Sequence, residues 1–392
     1  MNNQPIKHRW LLISGIILLG ACMRSPFTAL PSIINTIAHA FQVPVTNLGI
    51  LTTIPLLCFG FCSSLVPVIG KRLGNATTIL IALIVMLIGA TTRVISYPFL
   101  LGGTLLIGLA ITVINVLIPA IVTEYLPKQI GLMTSLYGAT ATLFSALFAY
   151  LITPLSHGLG WQGAILSMAV LILLTLIIWL PNLRKPANEV NSTNQITTTT
   201  NVWRQRSAWG LVCYMGSSSI AFYVTVAWLP TIAQARGLNV TGASLLASLF
   251  QLASVPVAFI IPIWASRMQN RSRLVSGAAF ITILGFIGLS LPIKNQLFLV
   301  IVAILLGCGT AASFSLNMAF FGLKTRSFQT TRALSGMVQS LGYLIAATGP
   351  ILTGQFKQIT GTWQASLIFV SIVVLIGAIA GCLAERRAYL ED

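Results

Sequence analysis

The residues with chemistry to offer are few and widely spaced. Arg24, Asn115, Gln251, Asn317 and Gln339 each sit inside a long apolar run, and Tyr137, Tyr214, Tyr223 and Tyr343 add phenolic hydroxyls to similar runs. A polar side chain in such a setting is costly, roughly 2.5–3.5 kcal/mol for an arginine at mid-membrane on insertion scales, so it marks a cavity or a partner. Arg24 is the sharpest signal. Its guanidinium is a planar fork of five donors suited to an anionic or strongly polar substrate. The alternative is a structural arginine that pairs with helix carbonyls or snorkels outward. Asn115 and Asn317 either bond substrate or hold helices together. Gln251 and Gln339 are expected to face a cavity, and the tyrosines to pack locally, with one or two free to gate or stack on substrate.

What is missing is as informative. All five acids, Glu124, Glu189, Glu385, Glu391 and Asp392, lie at or beyond the ends of the apolar runs. No buried carboxylate with a desolvation-raised pKa is therefore available to carry a proton, and any coupling must use the substrate, another ion or water. Glu124 is expected to pair with a loop Lys or Arg. No Ser/His/Asp, His/Glu or carboxylate pair converges within the apolar runs, which argues against an enzyme. His8, His39 and His157 are far apart, and the six cysteines form no CxxC pair, so no metal, disulfide framework or cofactor is expected.

These residues are carried by a chain of 392 residues, 56% hydrophobic and 7% charged, against roughly 25% charged in soluble domains. A water-soluble fold is excluded. The net charge of +17 comes from Lys and Arg scattered in ones to threes between apolar runs, which reads as membrane topology and not as a nucleic-acid surface. A bilayer core of about 30 Å needs about 20 apolar residues per helix. Twelve stretches qualify: 10–37, 47–70, 75–95, 98–121, 130–153, 161–181, 207–230, 243–265, 274–292, 296–321, 333–354 and 363–383. The first is far longer than the core of a cleaved signal peptide.

Lys and Arg in short loops are retained on the cytoplasmic side. With the N-terminus inside, 17 of the 22 basic residues fall in cytoplasmic segments, and only Arg93, Arg236, Lys294 and Lys357 fall outside. Both termini are thus expected to be cytoplasmic. The polar, unpatterned stretch at 182–206 reads as a cytoplasmic linker, dividing the chain into six-helix halves at 1–181 and 207–392. The halves resemble each other weakly: LGWQGAIL at 159–166 matches TGTWQASL at 360–367, and Asn115 stands 202 residues before Asn317. ALPSII at 29–34 matches WLPTIA at 228–233, which sets Tyr223 opposite Arg24. Parallel repeats of this kind are typical of the major facilitator fold.

The polar residues have the phase of that fold. Stretches 3, 6, 9 and 12 carry no Asn, Gln or charge in their interiors, as expected of helices facing lipid, whereas Arg24, Asn115, Gln251, Asn317 and Gln339 lie on the others. Arg24 stands about 21 Å along its helix from Trp10, too deep for easy snorkelling.

The segments MRSPFTALPSII at 23–34, LGILTTIPLLCFG at 48–60, INVLIPAI at 114–121, GLMTSLYGA at 131–139 and ALSGMVQSLGYLIAATGPILTG at 333–354 resemble the cyanate and 2-nitroimidazole transporter family of major facilitators. The resemblance runs over nearly the whole chain. It implies a bacterial plasma-membrane carrier that moves a small anionic or heterocyclic compound by alternating access, with Arg24, Asn115, Gln339 and the Gly342-Tyr343 pair in family positions. Arg93 also fits a family position and is expected to be an interfacial anchor. One departure concerns the wider superfamily's loop between helices 2 and 3. There the segment reads GKRLGN at 70–75, with Lys71 in place of an Asp, so that only Gly70, Arg72 and Gly74 keep the pattern.

The sequence therefore points to an all-α, twelve-helix secondary transporter in the bilayer, monomeric as a functional unit. Its site would be centred on Arg24, with Asn115, Gln251, Asn317, Gln339, Tyr343, Tyr137 and Tyr214 as candidate contacts. The alternatives are an exporter of toxic compounds on the same fold, or a non-transporting sensor, which would be expected to carry a soluble output domain. A fluorescent-protein fusion at the C-terminus should fluoresce and an alkaline phosphatase fusion there should be inactive; the opposite pair of readings would reverse the topology.

Overall fold

The computed structural model describes residues 9–63, 65–126, 129–184, 201–326 and 328–386. Most of the expected linker, residues 185–200, lies outside the described residues, as do Lys128, Glu189 and the side chain of Glu124. All regular structure described is helical. The helices are α1 (Arg9–Thr28), α2 (Ile34–Phe41), α3 (Ile50–Cys62), α4 (Val66–Leu73), α5 (Asn75–Thr92), α6 (Tyr97–Tyr125), α7 (Ile130–Trp179), α8 (Arg206–Ala235), α9 (Val240–Arg267), α10 (Ser272–Ser290), α11 (Gln296–Leu323), α12 (Phe328–Thr360) and α13 (Gln364–Glu385). Helices dominate because, in lipid, each backbone N–H and C=O must be satisfied within its own segment.

Ten segments of the described residues are long and apolar enough to cross a membrane. Two features separate this number from the twelve stretches expected. The fifth and sixth stretches are joined without a loop in α7, where Gly160 at φ 73° and ψ 165° makes a corner between two helices. Only glycine enters that backbone region without strain. The eleventh lies in α12, a more polar helix with Gln339, Gln355, Lys357 and Gln358, and is not among the ten. Prolines shape the first stretch: α1 carries Pro26, a 3-10 turn at Leu30–Ile33 carries Pro31, and the chain resumes as α2. Hydroxyls along the helices bond their own preceding turn, as with Ser25 to the Ala21 carbonyl at 2.9 Å and Thr112 to that of Gly108 at 2.8 Å. Polar residues of this kind need no cavity.

Arg93 corrects the sequence reading. It is no interfacial anchor, being 1% exposed. Its Nη1 donates to the Pro26 carbonyl at 2.5 Å, and Nε and Nη2 donate to Thr104 Oγ1 at 3.2 and 3.0 Å. Near the end of α1 the Pro26 carbonyl is short of helical partners. The guanidinium fills that role and ties α1 to α5 and α6.

Two groups of helices pack within themselves, α1 with α7, α5 with α6 and α3 with α6 in one, and α8 with α12 and α13, α9 with α11 and α10 with α11 in the other. They meet along α7 with α9 and α3 with α12. Hydrogen bonds mark this seam. Asn35 Nδ2 donates to Gln234 Oε1 at 2.7 Å, Thr53 donates to the Ala347 carbonyl at 3.0 Å, and Thr153 and Ser244 hydroxyls lie 2.5 Å apart. Asn35 and Gln234 are 199 residues apart, the same offset that aligns ALPSII with WLPTIA. Small residues let the backbones approach. A Cβ on Gly49 would stand 2.7 Å from the Trp228 ring and 2.9 Å from the Pro350 carbonyl oxygen.

Gly49→Val should therefore force this seam apart. In an Asn35→Cys/Gln234→Cys background, oxidative cross-linking should be efficient with Gly49 and fall sharply with the valine. An unchanged yield would show that the seam does not depend on that close approach.

Candidate substrate site

Arg24 lies four residues before the end of α1, half-buried, where the two groups of helices meet. No hydrogen bond or ion pair engages its guanidinium among the described residues. Its Cζ stands 5.7 Å from the centre of the Phe222 ring on α8, a cation–π contact across the seam. Aromatic rings surround the contact. Tyr223 meets Phe222 edge-on at 5.1 Å and Phe27 at 6.3 Å, and Phe250 packs on Phe222 at 5.5 Å. Tyr343 on α12 stacks against Phe59 on α3 at 5.2 Å and 26°.

Around this centre the expected residues fall into two sets. Tyr137, on α7, donates to Asn115 Oδ1 on α6 at 3.1 Å and also contacts Met23 Sδ on α1. Asn115 thereby keeps its amide N–H groups for another acceptor. Gln339 is half-buried on α12, one helical turn before Tyr343, and neither side chain has a hydrogen-bond partner among the described residues. Arg24, Asn115, Tyr343 and Gln339 thus offer donors from both sides of the seam, with Tyr137 holding Asn115.

The other set is engaged elsewhere. Gln251, 2% exposed on α9, donates to Ser145 Oγ at 2.6 Å, and Ser145 in turn lies 2.7 Å from Thr28 Oγ1. This chain of hydrogen bonds fastens α9 to α7 and α1. Asn317 donates to Ser218 Oγ at 3.2 Å and to the Ser313 carbonyl at 3.1 Å, joining α11 to α8. Buried amides commonly hold membrane helices in this way. Tyr214 packs on Phe320 and lines a cavity of ≈ 10 Å³ with Ser217, Ser218, Thr282, Thr310 and Ser313, room for about one water. In the loop motif, Gly70 sits against Leu117 and Asn75, and Gly74 takes φ 84°, while Lys71 and Arg72 are exposed. A buried ion cluster is found instead at the end of α13, where Glu385 accepts from Lys324 at 2.8 Å and Arg271 at 3.2 Å.

Residue types alone did not single out Phe222, Phe27 or Phe59, because phenylalanine in an apolar helix ordinarily packs against its neighbours. The only available signal was the internal repeat, which sets Tyr223, adjacent to Phe222, opposite Arg24.

Comparison with known proteins follows from this geometry. The family model for the Major Facilitator Superfamily matches residues 12–347 and 218–390. An uncharacterized transporter, YycB, of Bacillus subtilis is 35% identical over 99% of this chain and 96% of its own. The 2-nitroimidazole transporter of Escherichia coli is 33% identical over 97% of this chain and 96% of its own. The cyanate transport protein CynX of the same organism is 24% identical over 92% and 93%. Among solved structures, a bacterial homologue of the human lysosomal transporter Spinster, inward-facing and occupied, superposes with a TM-score of 0.80 at 14% identity, covering 98% of each chain.

Tyr137→Phe should remove the bond to Asn115, worth about 0.5–1.5 kcal/mol, and free that amide to rotate. The expected result is a several-fold rise in the KM for transport with a smaller change in maximal rate. An unaltered KM would separate the Tyr137–Asn115 pair from substrate recognition.

Proposed function

The chain belongs to the major facilitator superfamily, in the group that contains cyanate and 2-nitroimidazole transporters, and we propose that it carries a small anionic or heterocyclic solute of that kind by alternating access. It is a transporter and not an enzyme. The observation that carries the substrate reading is Arg24, a guanidinium that has no counter-ion among the described residues and stands beside aromatic rings and unengaged donors. A planar anion such as a nitroimidazolate would accept from the arginine fork, lie against the rings of Phe222 and Tyr343, and take further bonds from Asn115 and Gln339. A small linear anion such as cyanate would use the same donors with less stacking.

In this reading the chain makes twelve crossings, since α7 bends at Gly160 and α12 completes the second half. Residues 1–181 rock against residues 207–392, with both termini in the cytoplasm of a bacterium and the protein working as a monomer in the inner membrane. The bonded seam from Asn35–Gln234 to Thr153–Ser244 then closes the outer side, and the site communicates with the cytoplasm. Gln251 and Asn317 support the walls of the path.

Arg24→Gln should abolish uptake of labelled 2-nitroimidazole into proteoliposomes while the protein still inserts and purifies as a monodisperse species. Arg24→Lys keeps the charge without the planar fork. Since charge-assisted bonds contribute about 1.5–3 kcal/mol each, the lysine variant should lose roughly ten- to a hundredfold in affinity. Full transport by Arg24→Gln would remove the arginine from the site.

A further inference from the structure

Charge balance at the seam differs between the empty and the loaded carrier. Among the described residues the guanidinium of Arg24 is met by the ring face of Phe222, 5.7 Å away. No acid among the described residues pairs with it. Between residues 10 and 384 the sequence holds only Glu124 and Glu189. Glu124 stands at the end of α6, nine residues beyond Asn115, about 13 Å along the helix. Glu189 falls in the expected linker, and Glu385 is engaged by Lys324 and Arg271. None of these positions lies inside an apolar run, where a proton-carrying carboxylate of the site would be expected.

Resting on the reading of Arg24 as substrate anchor, we propose that the protein is an anion exchanger, returning across the membrane efficiently only when an anion occupies the site. Arg24 is on α1 and Phe222 on α8, so the ring contact spans the two groups of helices that must move. To reorient empty, the carrier must take a bare guanidinium through a closed, water-poor state, in which an unpaired charge is at its least favourable. A bound anion cancels that charge. It also accepts from Arg24 and Asn115 on one side and from Gln339, Tyr223 and Tyr343 on the other, contacts that are all made together only when the halves close around it. Interactions stronger in the occluded state than in either open state lower the barrier between them. One anion leaves as another enters, and net charge does not accumulate.

The test uses the purified protein in proteoliposomes, with labelled 2-nitroimidazole or cyanate as cargo and protein-free vesicles as the blank. Efflux is measured into buffer lacking transportable anion and into buffer containing unlabelled cargo. Exchange is expected to exceed net efflux by about tenfold or more, a difference of about 1.4 kcal/mol in barrier. Phe222→Leu, which strips the empty-state charge of its ring, should slow net efflux further while exchange changes less. Equal exchange and net rates, with Arg24→Gln still inactive, would overturn exchange and leave the arginine site standing. Wild-type rates in Arg24→Gln would overturn the site and the exchange with it, as would failure of both probes to move at all.

Discussion

A guanidinium held in a low-dielectric interior needs either a counter-ion, a set of carbonyls or a ligand, because the cost of desolvating it is otherwise uncompensated. Arg93 takes the carbonyl solution: Pro26 and Thr104 absorb its donors, and it is 1% exposed. Arg24, two residues from Pro26, does not. It rests against Phe222 with its fork unengaged. The organisation of the middle of the molecule follows from that difference.

Arg93 holds the first span at Pro26, close to where it breaks from α1 into the 3-10 turn. The seam itself is made from cheap polar groups. Thr53, Thr153, Ser244, Asn35 and Gln234 supply the bonds across it, each between neutral groups. Glycines at 49 and 354 bring the backbones close enough for these bonds to form. Separating neutral hydroxyl and amide pairs of this kind would leave no bare charge behind.

The aromatic rings answer a second requirement. A purely aliphatic surround would leave Arg24 with no favourable contact, whereas the ring face of Phe222 offers partial compensation. Phe222, Tyr223 and Tyr343 also give flat surfaces against which a planar solute can lie. The tyrosine hydroxyls add donors without adding charge.

Much of the architecture was legible in the residues. The apolar runs, the shortage of charge and the internal matches specified a helical membrane protein of the major facilitator kind, since backbone satisfaction in lipid leaves few alternatives. Arg24 was identifiable because no interior acid exists to pair with it. Sequence could not divide the amides: Gln339 has no bond among the described residues, while Gln251 is used by Ser145 and Asn317 by Ser218 and Ser313. An amide has the same chemistry in both settings, and only the neighbour brought by another helix decides which role it takes. The same holds for the arginines. Arg93 looked like an interfacial residue because it follows an apolar run, and the fold turned it inward onto Pro26. Periodicity and composition thus determined what crosses the membrane and which charge lacks a counter-ion. Tertiary contact decided which polar groups are already satisfied, because satisfaction depends on partners as far as 199 residues away in the chain.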